Sequence, residues 1–301
     1  MQEPTDQSSP RYPCVWQREL HTTRVSLWFA PMSMMLSRRQ REPPPVWSSS
    51  GSPRRPGGSS RIGHLLLEDT DLFDLVPLDT RDQALQECLA EIVTLTPGNW
   101  PVEDASSQLR EGLGLLILEG LVVSRVGIEG RFGAELLGSG DLLRPWQDAA
   151  DALALPLSTS RKVLAPTRIA VLDMAFAGRA AAYPQIAAHL VARTMNRSLN
   201  LAVLMAIAHH PRADVRLHSL FWHLAGRWGR KRADGVLVPL RLTHSVLADL
   251  IATRRPTVSS ALADLSRRGV LAATREGWHL SGEPPSELYD LPVVAATGCG
   301  S

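Results

Sequence analysis

The 301-residue sequence predicts an α+β chain: an antiparallel β-roll of jelly-roll type as sensor domain, one long dimerisation helix, and a C-terminal winged helix-turn-helix. Three observations carry that prediction. Glycines at 112, 114, 120, 127, 130, 133, 138 and 140 punctuate leucine-rich and β-branched runs, as tight corners between antiparallel strands require. Ala188, Val191, Met195, Ser198, Ala202 and Met205 recur at alternating intervals of three and four residues, the spacing of a helix seam. Two short apolar-periodic segments meet at Thr253-Arg254-Arg255-Pro256 inside the run LADLIATRRPTVSSALADL, residues 247–265.

Along the chain, residues 1–60 are rich in Pro, Ser, Gly and Arg and lack the apolar area that offsets ordering entropy, so a disordered head is expected. Met34 and Met35 offer a later natural start within it. The expected divisions are a β-roll at 61–180, the dimerisation helix at 181–210, the winged helix at 211–282 and a tail at 283–301. Net charge is +2, but it is segregated: 8 basic against 4 acidic residues in 1–60, 10 against 18 in 61–180, and 14 against 8 in 181–301. A basic C-terminal third beside an acidic middle points to a polyanion bound at one end only. Cys14, Cys88 and Cys299 are too far apart for a disulfide framework or a paired-cysteine metal site. The apolar stretch VSLWFAPMSMML is broken by Pro31 and too short to span a bilayer, so a cytoplasmic protein with no membrane partner is expected.

Residues 79–96 begin with Asp79-Thr80 as capping candidates and carry Ala84, Leu85, Cys88, Leu89 and Ile92 at helical spacing, which predicts one helix. The glycine-punctuated runs that follow predict strands a few residues long, ending in RKVLAPTRIAVLD. After Asp173 the composition turns alanine-rich and helical. Its seam either packs on its own roll or pairs across a two-fold axis; the small and polar residues in it favour pairing. A second helix, Pro211 to about Trp228, buries Val215, Leu220, Phe221 and Leu224.

The candidate site is the junction at 253–256. Thr243 is placed to cap a helix whose inner face is Leu247, Ala248 and Ile251, and Pro256 suits the first turn of the next helix, where its missing N–H costs nothing. That second helix buries Val258, Ala261 and Leu262 and turns Arg255, Thr257, Ser259 and Ser260 outward. Position 252, a common place for a turn glycine, is alanine, which predicts a slightly different turn. Gly269 is the expected left-handed cap, and VLAATREGWHLS predicts a hairpin turning at Arg275-Glu276-Gly277. In a winged helix the second helix enters the major groove by its N-terminal residues. Thr243, Arg254, Arg255, Thr257, Ser259, Ser260 and the wing residue Arg275 are therefore the candidate DNA contacts.

These residues resemble the Crp/Fnr superfamily of bacterial transcription regulators, in LTHSVLADLIATRRPTVSSALADLSRRGVL and in the upstream LLILEGLVVSRVGIEGRFGAELLGSGDLLRPW. The resemblance covers about residues 72–282 and implies a cyclic-nucleotide-binding-like roll, a dimerisation helix and a winged-helix DNA-binding domain. Members that bind a cyclic nucleotide carry a Gly-Glu pair after the Gly-Asp corner, then an Arg-Ser or Arg-Thr pair. Here Gly140-Asp141 is followed by LLRPWQDAADALALPLSTSRKV, with no Gly-Glu, and the arginine's place falls near Leu157, beside Ser158. Arg161 and Lys162 stand close enough to substitute, although a cation beside a barrel strand is ordinarily solvated. Ser158 and Arg161 are thus the effector-site candidates, and gating by cyclic AMP is not expected.

Cys14 and Cys88, the two cysteines ahead of the predicted strands, cannot assemble an iron–sulfur cluster. The spacing of His209, His210, His218 and His223 fits no metal pattern, so no metal or cofactor is expected. No catalytic constellation stands out. The expected function is a homodimeric transcription regulator on palindromic double-stranded DNA, with RNA polymerase the candidate further partner. The alternative is a ligand-binding or protein-interaction protein whose basic C-terminal domain binds DNA without reading it.

Overall fold

Two fifteen-residue strands run the length of the β-roll, and glycine bends the first of them rather than ending it. In this computed structural model, which describes residues 60–100, 110–128, 131–145 and 157–285, strand β4 (Gly114–Ile128) pairs antiparallel with β7 (Ser158–Leu172). Register shifts between Ile117 and Val122 mark the bend at Gly120, whose φ is +107°. A Cβ there would sit 2.5 Å from the Thr167 Cα, so the crossing strand itself demands glycine. The expected short strands are accordingly joined: β4 passes through both Gly120 and Gly127.

Before these lie β1 (Ser60–His64), α1 (Leu65–Glu68), α2 (Thr70–Asp74), α3 (Arg81–Glu87), β2 (Leu89–Leu95) and β3 (Gly98–Asn99). β5 (Arg131–Gly138) and β6 (Leu142–Leu143) come between β4 and β7. Among the described residues the sheet runs β1-β2-β7-β4-β5, with β3 on β7 and β6 on β4. The helix expected over 79–96 is corrected. It stops at Glu87, and residues 89–95 form a strand hydrogen-bonded to β1 on one side and β7 on the other. Ala90 and Ile92 are buried while Glu91 and Val93 are less so, a period of two. Pairing with β1 over 89–93 and with β7 over 91–95 gives the segment's backbone ladder partners on both edges, which outweighs its local helical spacing. Cys88 at the switch is fully buried, and burial, then the Glu87 charge, pushes its thiol up to about 11.

The alanine-rich stretch is two helices. Asp173 caps α4 (Met174–Ala180), accepting from the Phe176 N–H at 2.8 Å, and Pro184 opens α5 (Pro184–His209). α5 has 26 residues and is therefore about 39 Å long. It buries Ile186, Leu190 and Ile207 toward the roll. Val191, Met195 and Met205 on the predicted seam are 59–68% exposed, so the seam does not pack on its own roll. No helix among the described residues is long and apolar enough to cross a membrane.

The last part comprises α6 (Ala213–Trp228), β8 (Arg230–Arg232), β9 (Gly235–Val238), α7 (His244–Leu250), α8 (Arg255–Arg267), β10 (Leu271–Ala273) and β11 (Trp278–Leu280). The sheet order β10-β11-β9-β8 adds a second hairpin to the expected wing. That hairpin's strands are short, β8 being wholly basic and β9 apolar, and its one sequence signal was Asp234-Gly235. A single apolar cluster joins Leu121, Val123 and Leu136 of the roll to Leu217 and Phe221 of α6, Leu250 of α7 and Leu262 of α8. The winged helix thus packs directly on the outer face of β4 and β5. The expected head falls, apart from Ser60, outside the described residues, as does most of the tail.

Candidate nucleic-acid interface

The junction between α7 and α8 is built from local interactions. Thr243 caps α7, its hydroxyl accepting from the Val246 N–H at 3.3 Å, while Val246, Leu247, Ala248 and Leu250 face inward. The Ala248 carbonyl accepts from the Thr253 N–H at 2.9 Å, so the chain reverses tightly around a small buried residue. Ala252 adopts φ +51°, the left-handed conformation that glycine favours. The turn keeps the glycine geometry, and alanine carries the strain.

α8 starts with Arg254 in extended conformation at its N-cap and Pro256 in the first turn. It buries Val258, Ala261, Leu262 and Leu265. Arg254, Arg255, Thr257, Ser259 and Ser260 are all exposed at its N-terminal half. The hydroxyls of Ser259 and Ser260 donate back to the carbonyls of Arg255 and Pro256, at 3.2 and 3.3 Å, and the Ser259 oxygen also lies 2.9 Å from the His244 Nδ1.

The wing turn is closed by the Thr274 N–H on the Gly277 carbonyl at 2.8 Å and by the Thr274 hydroxyl accepting from the Gly277 N–H at 3.1 Å. Gly277, at φ +153°, lies so close to the Val238 carbonyl that no side chain fits. Arg275 is exposed at the tip, and its carbonyl accepts from the Arg241 guanidinium at 3.2 Å. Every predicted DNA contact is therefore exposed, on the capped start of α7, the start of α8 and the wing turn.

Two residues were missed in the sequence reading. Arg241 anchors the wing, and His244 joins α7 to α8 with its Nδ1 2.9 Å from the Ser259 Oγ. Neither lies on a periodic face, so only the meeting of elements reveals them. The winged helix-turn-helix is also clamped to the roll. Arg125 of β4 binds Asp249 of α7 at 2.6 Å. Arg227 of α6 binds Asp141 of the Gly-Asp corner at 2.7 Å, and Asp141 also accepts from the Gly138 N–H.

The two effector-site candidates are not brought together. Ser158 is exposed at the start of β7, whereas Arg161, three residues on, points into the roll and is 8% exposed. Strand alternation puts them on opposite faces. Lys162 is solvated as expected, and Arg161 is not. Arg161 shares its level of the roll with Ser124, its register partner, which in turn pairs with Glu135. Burial, then the Arg197 charge, lowers the Arg161 pKa, against the pull of Glu135. Glu135 itself accepts from Arg197 of α5 at 2.5 Å, so α5 is tied to the roll interior by an ion pair. His218, one of the helix histidines, accepts from the Trp222 indole at 3.0 Å.

Comparison with known proteins adds the following. Residues 215–281 match the model of the Crp-like helix-turn-helix domain. The anaerobic regulatory protein of Bacillus subtilis (strain 168) is 34% identical over 61 residues, 20% of this chain and 26% of that protein. The match thus spans about a quarter of that relative's length. A cyclic nucleotide-binding domain containing protein from Listeria monocytogenes EGD-e is similar in structure at a TM-score of 0.53 and 16% identity, over 71% of this chain and 96% of that one. A CooA mutant from Carboxydothermus hydrogenoformans gives 0.50 and 18%, over 67% of this chain and 86% of that one. These two likenesses show a common fold.

Proposed function

We propose that the chain is a regulator of Crp/Fnr type, binding DNA sequence-specifically as a homodimer on a palindromic site; the match to the Crp-like helix-turn-helix domain and the shared fold support this reading. The observation that carries the reading is the exposed start of α8, where Arg254, Arg255, Thr257, Ser259 and Ser260 stand between the capped start of α7 and the wing. A guanidinium at the N-terminus of such a helix reaches guanine O6 and N7, while one on a wing meets phosphate oxygens. In this proposal the roll (61–180) senses or supports, α5 (within 181–210) pairs two copies along its exposed seam, and 211–282 reads DNA. RNA polymerase as a further partner, and a cytoplasmic location, belong to the same proposal.

The test separates reading from mere attraction. Arg255→Ala should lose roughly 1–3 kcal/mol of specific affinity and relax one operator position. Arg275→Ala should weaken all sequences alike and lower the salt slope by about one per half-site. Equal affinity of the wild type for its selected duplex and for random DNA at every salt concentration would favour the alternative, a basic domain that binds without reading.

A further inference from the structure

The hydroxyl of Ser259 has one proton, and it is committed to the Arg255 carbonyl, 3.2 Å away. With that proton so placed, the imidazole Nδ1 of His244, 2.9 Å from the same Oγ, is assigned as the donor into the hydroxyl's lone pair. With Nδ1 carrying hydrogen in either protonation state, the outer atom Nε2 is the one that changes. It is a lone-pair acceptor in the neutral ring and an N–H donor in the imidazolium. Ser259 is exposed on the face of α8 that the proposed DNA contact uses, and His244 stands beside it at the first position of α7.

Among the described residues His244 makes no ion pair with a carboxylate. Arg254 and Arg255 begin α8, Arg241 precedes α7, and Arg275 tops the wing. The carboxylates Asp249 on α7, Asp264 on α8 and Glu276 in the wing turn are paired elsewhere: Asp249 with Arg125 at 2.6 Å, Glu276 with Arg232 at 3.0 Å and Asp264 with Arg267 at 2.9 Å. The negative charge that would face His244 is the one DNA brings.

We infer that His244 is a proton-dependent DNA contact: as imidazolium it holds Ser259 through Nδ1 and donates Nε2–H to a backbone phosphate. This rests on the DNA-binding reading and adds to it a linkage between proton and operator. A phosphate near the ring favours its charged form in the complex, so binding takes up a proton. The affinity this contributes is present at the acid end and lost toward the alkaline end.

The experiment uses the full chain and a duplex selected by it from a random pool, with affinity read by fluorescence anisotropy from pH 5.5 to 8.5 at constant ionic strength. The expected result is binding about tenfold tighter per half-site at the acid end, the size of one charge-assisted hydrogen bond, with uptake of no more than one proton per protomer. His244→Gln keeps a donor for Ser259 and should give a flat profile near the wild-type affinity at pH 8.5. His279→Gln removes the wing histidine that pairs with Asp234 at 3.1 Å and should leave the slope in place. A flat wild-type profile, or a slope that survives His244→Gln, overturns the inference while the DNA-binding reading stands. A chain that selects no duplex at any pH overturns that reading, and this inference with it.

Discussion

Replacing Ala252 by glycine should stabilise the folded chain. Among the described residues Ala252 is the one non-glycine at positive φ, 51°, and it links α7 to α8 with its N–H on the Asp249 carbonyl at 3.3 Å. A residue with a Cβ sits in this conformation at a cost of about 1–2 kcal/mol, because the Cβ crowds the following carbonyl oxygen. Glycine removes that cost but gives the unfolded chain more freedom, a loss of roughly 0.5–1 kcal/mol. Ala252 is exposed, so no buried methyl is sacrificed. The difference leaves a net gain of about 0.5–1 kcal/mol. Urea unfolding followed by tryptophan fluorescence measures it as a higher midpoint at unchanged slope. A midpoint that stays or falls would show that left-handed strain does not outweigh chain entropy here. Because the backbone turn is already the one glycine adopts, DNA affinity should hold to within about twofold, a few tenths of a kcal/mol.

Met195→Asp puts a carboxylate on the exposed seam of α5, where Met195 is 68% exposed, and should leave the protein monomeric in sedimentation velocity; a persistent dimer would move the pairing surface elsewhere. DNA affinity should be independent of millimolar cyclic AMP or cyclic GMP, since a ligand biases a two-state dimer only through differential affinity. Micromolar calorimetric binding abolished by Arg161→Ala would instead place a phosphate anchor at Arg161. Burial, then Arg227, pushes the His223 imidazole down, so the folded state prefers it neutral. That stability is present above the unfolded value of about 6.5 and fades as pH falls toward the folded one. His223→Gln should flatten the fall in denaturant midpoint over this window, and an unchanged acid limb would assign the effect to another group.

The winged helix-turn-helix was legible in the sequence because its signals are local. The Thr243 cap, Pro256 in the first turn of α8, the left-handed Gly269 and the Arg275-Glu276-Gly277 turn each depend on neighbours within a few residues, and each stands where the spacing put it. The roll was less legible. Residues 89–95 have the apolar content of either a helix or a strand, and the choice went to the partner strands, of which β7 lies some seventy residues on. Gly120 looked like a strand end because nothing nearby in sequence announces that Thr167 crosses against it. Ser158 and Arg161 looked like one candidate site until strand alternation sent them to opposite faces.

By itself, the sequence determined which residues α8 turns outward and where α7 and α8 begin, since those follow from periodicity and capping. Only the tertiary structure decided that Arg125 meets Asp249 across 124 residues of chain, and that Arg227 meets the Gly-Asp corner. It likewise decided that the winged helix shares its core with the outer face of the roll. The physical reason is that a charged or apolar side chain carries no address. Periodicity says which face it is on, and the partner it finds there is set by how the long strands bend and where α5 and α6 lie against them.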